Sequence, residues 1–506
     1  MLTTTLRVLA IGVLVLFPFS IAPIWGQVAV TTWHYDSARS GANPNETILT
    51  PENVNGETFG PLFTQPVDGE VIGQALYLPQ VAIPGAGVHN VVYVATMHDS
   101  VYAFDADNAS GSNASPLWHT SFLIDDATTI PIATQGCGGT TAWKEVGIVS
   151  TPVIDPVTGT IYVVSKTLEH SKFVHRLHAL NVATGREQPG SPIVITASYT
   201  VDSKTYVFAD KMQVNRPGLL LNNGYLYIAF GSNGCRSGLE EGWVVSYDAA
   251  TLEPAGVFDD EPGESAAAVW MRGGGLAADS EGNIYGATAD GPFAVGMDFG
   301  QSVFKLSQVG SELQLADWFT PFNEYYLDHH DLDMSEPVLI LPTQSGPFPD
   351  LAAAVGKEGT IYILNRNNMG HFCSTCTRKD TQIVQELTTI APEGGALVYW
   401  NNIIYTSPTG FPISALSLTN GVVSPTPLAQ SRKVDGGHSP VISANGNTAG
   451  ILWQLTGGAL SAFNATTLDR LYFKPIPDIP HFANEVVANG KVYVGTNSSL
   501  VVFGLL

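Results

Sequence analysis

Basic residues are scarce in this chain of 506 residues: 22 Lys and Arg stand against 45 Asp and Glu, a net charge of −23. Such a surface repels phosphate backbones and acidic lipid, so nucleic acid is excluded as a partner class. Charged residues of all kinds are only 13% and hydrophobic ones 44%, which fits neither a disordered chain nor a coiled coil. Helical periodicity is missing as well, because no segment sustains the 3.6-residue repeat for three turns. Past the N-terminus no run reaches the roughly 18 apolar residues of a membrane span. No G-x-S-x-G elbow, H-E-x-x-H pair or Walker loop occurs.

Cysteine is rare too. Cys137, Cys235, Cys373 and Cys376 allow three connectivities. A local Cys373–Cys376 clasp with a longer Cys137–Cys235 bridge is the expected arrangement. Cys373-Ser-Thr-Cys376 is followed by Thr377 rather than the His of a c-type haem site. His371 is a third zinc donor, but no second C-x-x-C completes a zinc set.

Residues 1–26 read as a secretory signal peptide: one charge (Arg7), an apolar stretch from Val8 to Phe19, and a Gly26-Gln27 junction. Pro18 and Pro23 interrupt the stretch; an uncleaved anchor is the alternative reading. Export to the periplasm or the extracellular space is expected, and it agrees with disulfide use. Residues 27–506 are expected to form one domain.

What the chain has in quantity is Gly (51), Pro (32) and one repeated pattern. A turn leads into an apolar–Tyr–apolar strand, and a second strand ends near Ala-aromatic-Asp. Val91-Val-Tyr-Val-Ala-Thr with Val101-Tyr-Ala-Phe-Asp-Ala is the clearest copy. The marker aromatics are Tyr93, Tyr162, Tyr227, Tyr285, Tyr362, Tyr405, Trp453 and Tyr493, spaced about 57 residues apart. Four strand-like segments fit each interval. The fold expected is therefore all-β: an eight-bladed β-propeller of four-stranded antiparallel blades. Apolar segments such as Thr151-Pro-Val-Ile-Asp and Pro440-Val-Ile-Ser are expected as innermost strands around a central channel. Val30–Tyr35 and Leu500–Gly504 are expected to share a blade that closes the ring.

The repeat resembles the PQQ-type repeat of quinoprotein alcohol dehydrogenases, specifically compact exported bacterial propellers with no cytochrome domain. The stretches that carry the likeness are Trp33-His-Tyr-Asp with Ile48-Leu-Thr-Pro-Glu-Asn-Val, Trp270 with Gly282-Asn-Ile-Tyr-Gly-Ala-Thr-Ala-Asp, Asp328-His-His-Asp-Leu-Asp, and Gly356-Lys-Glu-Gly-Thr-Ile-Tyr-Ile-Leu-Asn-Arg. The resemblance implies PQQ stacked on Trp270 and Ca²⁺ held by Asp290 and by Glu240, beside Glu241. It also implies Lys357 or Arg366 as the cation facing the quinone. Where the family keeps its catalytic Asp, this chain has Lys305-Leu306-Ser307, and the adjacent-cysteine pair is absent. Asp331 is then the candidate base.

Two groups stand out on their own chemistry. His329, His330, Asp331 and Asp333 form the densest polar cluster, able to serve as base, metal site or loop brace. Asn215, Arg216 and Arg272 flank inner strands, so they would form an anion-attracting funnel near the axis; His438 is a further channel candidate. Three functions are compatible with this. The first is a dehydrogenase oxidising a small alcohol or sugar and passing electrons to a separate acceptor. The second is a non-catalytic binding module for a glycan or protein partner. The third is a lyase or hydrolase using the 329–333 loop.

Overall fold

A computed structural model describes residues 28–134, 143–232, 240–264, 266, 268–388, 395–433, 439–456 and 458–506. Residues 1–26, read from the sequence as a signal peptide, and Cys137, Cys235 and His438 lie outside the described residues. Eight antiparallel sheets form a ring, each with four principal strands. In the first blade these are Leu76–Ile83, Gly87–Thr96, Ser100–Asp105 and Trp118–Ser121, ordered from the axis outward. The second blade follows with Val153–Asp155, Thr160–Glu169, Lys172–Asn181 and Ile193–Val194. The six blades after it begin on Leu220, Ala277, Leu339, Val398, Val441 and Glu485.

The repeat has a mechanical reason. Four of the marker tyrosines reach across to the blade next to them and donate their hydroxyls to a backbone carbonyl, whereas Tyr285 donates to the Asp279 carboxylate within its own blade at 2.8 Å. Tyr93 bonds Val182 O at 3.1 Å, Tyr162 bonds Ala249 O at 2.8 Å, and Tyr405 bonds Ala465 O at 2.9 Å. Tyr493 reaches Ala106 O and ties the last blade to the first. The accepting residue always follows the Asp or Asn that ends the third strand. That side chain caps the ensuing turn, as Asp248 does by accepting from Ala250 N and Thr251 N. Blade five departs from the pattern. Its second strand is Leu351–Val355, and Tyr362 lies on the third, Ile361–Asn365.

Ring closure also differs from expectation. The outer strand of blade eight is Phe59–Pro66, paired antiparallel with Ser499–Leu505. Residues 30–43 do something else. They run as a strap around the channel and bond the inner strands of seven blades. Val30 exchanges two 2.8 Å bonds with Tyr77. The carbonyls of Thr31, Ser37, Ala38, Ser40 and Gly41 accept from Ile154, Ala278, Ile340, Tyr399 and Ile442 at 2.7–2.9 Å. Asn43 Nδ2 donates to Val487 O at 3.0 Å. Inner strands have one unpaired edge facing the axis, and the strap satisfies it. Trp33 and His34, stacked 3.5 Å apart, are fully buried. Arg39 locks the strap by donating to Thr32 Oγ1, Trp33 O and Leu276 O, each at 2.7 Å. The channel is thus filled beside the short turns that join first and second strands.

Among the described residues the one α-helix is Glu324–His329. Among the described residues no helix is long and apolar enough to cross a membrane. Cys373 and Cys376 form the local disulfide.

Candidate functional site

At the opposite mouth, long loops run from the outer strand of one blade to the inner strand of the next. Arg216 sits on such a loop and is fully buried. Pro217 beside it has no N–H and fixes the chain as it enters the inner strand Leu220–Asn222. The guanidinium carbon lies 3.8 Å from the Phe482 ring centre, 4.6 Å from Trp270 and 5.4 Å from Trp143. Three aromatic faces therefore enclose one cation. None of its three guanidinium nitrogens has a hydrogen-bond partner. Burial and the nearby charge of Arg272 push its pKa down to about 9.

Trp270 is aimed by a strained turn. Met271, Arg272 and Gly273 all take positive φ, at 48°, 43° and 82°. Left-handed backbone at two successive non-glycine residues costs of order 1–3 kcal/mol each and tends to occur where function requires it. The turn sends Arg272 to the fully buried Glu336, which it contacts at 2.9 Å.

The other expected site residues are distributed around this mouth. Lys357 Nζ donates to Asp331 at 2.5 Å and to Asp333 at 2.6 Å, and Gln301 donates to Asp333 at 3.0 Å. Burial holds Asp333 above the ordinary carboxylate range against the pull of Lys357. His330 does not join them: its ring stacks on Tyr326 at 4.0 Å and its Nδ1 meets Tyr326 O. Arg366 is at the far mouth, paired with Asp279 at 2.8 Å. Lys305 donates to Arg366 O. Glu240 is fully buried ahead of strand Trp243–Asp248, and Asp290 takes φ 56° in the loop after Ile284–Ala287. Among the described residues no three His, Cys, Asp or Glu side chains converge as a metal set.

Sequence reasoning missed two features. Trp143 and Phe482 complete the box around Arg216, yet they come from loops 339 residues apart with no local signal. A buried acid cluster, Glu241, Asp259, Asp260 and Glu261, closes the outer edge of blade three. Burial, then the neighbouring carboxylates, raises Asp259 to about 9 and lifts Asp260 and Glu261 well above their usual values. Gly242 is required there. Its N–H donates to Asp260 at 2.7 Å, and a Cβ would stand 2.3 Å from that carboxylate.

No family model and no curated protein matches the sequence. Solved structures do match. A quinohemoprotein alcohol dehydrogenase from Pseudomonas putida superposes with TM-score 0.61 at 12% identity, over 94% of this chain and 80% of that one. A europium-containing methanol dehydrogenase gives 0.59 at 11%, over 94% and 98%. BamB from Moraxella catarrhalis gives 0.52 at 10%, over 88% and 99%. At these identities the likeness is one of fold: the chain has the eight-bladed β-propeller fold of the PQQ dehydrogenases.

The residues present do not fit a quinone lying on Trp270 with a metal beside it. A guanidinium already stacks on that indole. The candidate base Asp331 is taken, with Asp333, by one ammonium, and among the described residues no three acids or histidines converge on a metal position.

Proposed function

We propose that the chain is a ligand-binding propeller rather than a working dehydrogenase, and that its long-loop mouth takes the carboxylate of a small ligand, an acidic sugar being the fitting class. One observation carries this reading: Arg216 is a buried cation with no hydrogen-bond acceptor. Leaving such a charge unpaired costs several kcal/mol, and a carboxylate would supply the missing acceptors in bidentate form. Aromatic faces around it suit the apolar side of a sugar ring. Action outside the cytoplasm is part of the proposal, supported by the Cys373–Cys376 disulfide.

A dehydrogenase using PQQ and Ca²⁺ is the second reading, supported by the fold neighbours alone. PQQ is itself a carboxylate, so one experiment separates the two. Thermal shift is followed with a panel of uronic and aldonic acids, and with PQQ plus Ca²⁺. A shift with sugar acids that vanishes in Arg216→Met is the expected result. A response to PQQ and Ca²⁺ only, with dye reduction on alcohols, would establish the dehydrogenase instead.

A further inference from the structure

Away from the axis, between blades one and two, lies a cavity of about 580 Å³. Three of its lining residues form an ordered hydrogen-bond chain. Ser165 Oγ is 2.9 Å from His178 Nε2, and His178 Nδ1 is 2.7 Å from Glu187 Oε1. Ser165 is on the second strand of blade two, His178 on the third, and Glu187 on the loop that follows. The remaining oxygen of Glu187 accepts from the Ser191 hydroxyl. Phe122 stacks on the imidazole with ring centres 3.6 Å apart. Rotation of the ring is thereby blocked on both an edge and a face.

The polarity of this chain is that of a nucleophile, a base and an orienting acid. With Nδ1–H donated to Glu187, Nε2 is the lone-pair nitrogen and accepts from Ser165. Burial lowers the His178 pKa, with Glu187 opposing, which keeps the imidazole neutral and basic near neutral pH.

The internal repeat argues that the arrangement is not scaffold. Ser165 stands three residues after the marker aromatic, where other blades carry Thr96, Phe230, Thr456 and Thr496. His178 stands three before the Asn that ends its strand, where other blades carry Tyr102, Val245 and Ser461. Blades of the same geometry therefore stand without the Ser–His pair.

We propose that Ser165, His178 and Glu187 form a hydrolytic site for uncharged carboxylic esters, separate from the axial mouth. The cavity sets the class. Asp125, Asp126, Glu169 and Glu187 line it, and Arg176 is already paired with Glu169 at 2.6 Å. The His170 imidazole beside it contacts Asp126 at 3.0 Å. Anionic esters are repelled, while Phe122 and Ile124 offer apolar surface to an acyl chain.

In the first step Ser165 Oγ bonds to the ester carbonyl carbon and its proton passes to His178 Nε2. The ester C–O bond then breaks, and the departing alkoxide takes that proton. Water, deprotonated by His178 Nε2, then bonds to the acyl carbon; the bond to Ser165 Oγ breaks, Oγ recovers the proton from His178, and the carboxylic acid is released. No electrons are exchanged with any other compound.

The full chain is treated with a fluorophosphonate probe, digested and mapped by mass spectrometry, and its hydrolysis of p-nitrophenyl butyrate is followed. The expected result is one adduct on Ser165 and a fall in rate of about 100-fold or more in Ser165→Ala and in His178→Gln. Glu187→Gln should fall less, with the Ser165 adduct still formed slowly. Folded protein that takes no probe on Ser165 overturns the proposal, and that readout needs no variant to fold. Hydrolysis unchanged in folded Ser165→Ala overturns it equally.

Discussion

Beside the short turns, the strap fills the channel with a ring of backbone hydrogen bonds, and its one buried cation, Arg39, donates to three oxygens at 2.7 Å. At the long-loop mouth the buried cation, Arg216, has aromatic faces and no acceptor, and a set of buried acids lies toward the rim. Both mouths bury an arginine. One uses its donors to close the ring, and the other keeps them available. Polar burial that is satisfied contributes to stability, and polar burial that is unsatisfied marks a site.

The sharpest way to break the contrast is to truncate each arginine. Arg39→Ala should destabilise by about 3–5 kcal/mol, since three oxygens lose their donor and a cavity opens. Denaturant melts would read it; a loss below about 1 kcal/mol would mean that the strap is not held there. Arg216→Met should go the other way. Replacing an unpaired buried charge with an apolar chain is expected to stabilise the free protein by about 1–4 kcal/mol while abolishing ligand shifts. A strongly destabilised Arg216→Met would show that the guanidinium is structural.

The acid cluster gives a third test. Asp259 has a folded pKa near 9 against 3.8 for the free side chain. The folded state then holds a proton that the unfolded state has released. Stability from this group is full below pH 4 and declines as pH rises toward 9, at up to about 1.4 kcal/mol per pH unit. Asp259→Asn should flatten that decline in melts taken from pH 5 to 8. An unchanged slope would place the proton elsewhere. Smallest of all is Lys491→Ala. It removes the 2.8 Å pair with the half-exposed Asp107, and a change of about 0–1 kcal/mol is expected from the same melts.

Legibility in the sequence followed contact range. The strand pattern, the marker aromatics and the Cys373–Cys376 clasp were readable because each depends on residues close together or on a period. The Phe59–Pro66 closure was not, because Val30–Tyr35 has an equally strand-like pattern. Tyr362 shows the same limit: its blade carries Leu351-Ala-Ala-Ala-Val as a second strand that the marker pattern does not announce. Asp331 and Asp333 were noticed as a cluster, but their capture by Lys357, 24 residues beyond Asp333, came from folding.

Composition and periodicity settled the architecture, since alternating apolar residues can bury both faces of a blade only by stacking against neighbours in a ring. Chemistry was decided elsewhere. The box around Arg216 draws on three separate loops, and the Ser165–His178–Glu187 chain on two strands and a turn. Angles and distances of a few ångströms between such distant segments have no local signature, because they arise from how the blades pack and not from any one stretch of chain.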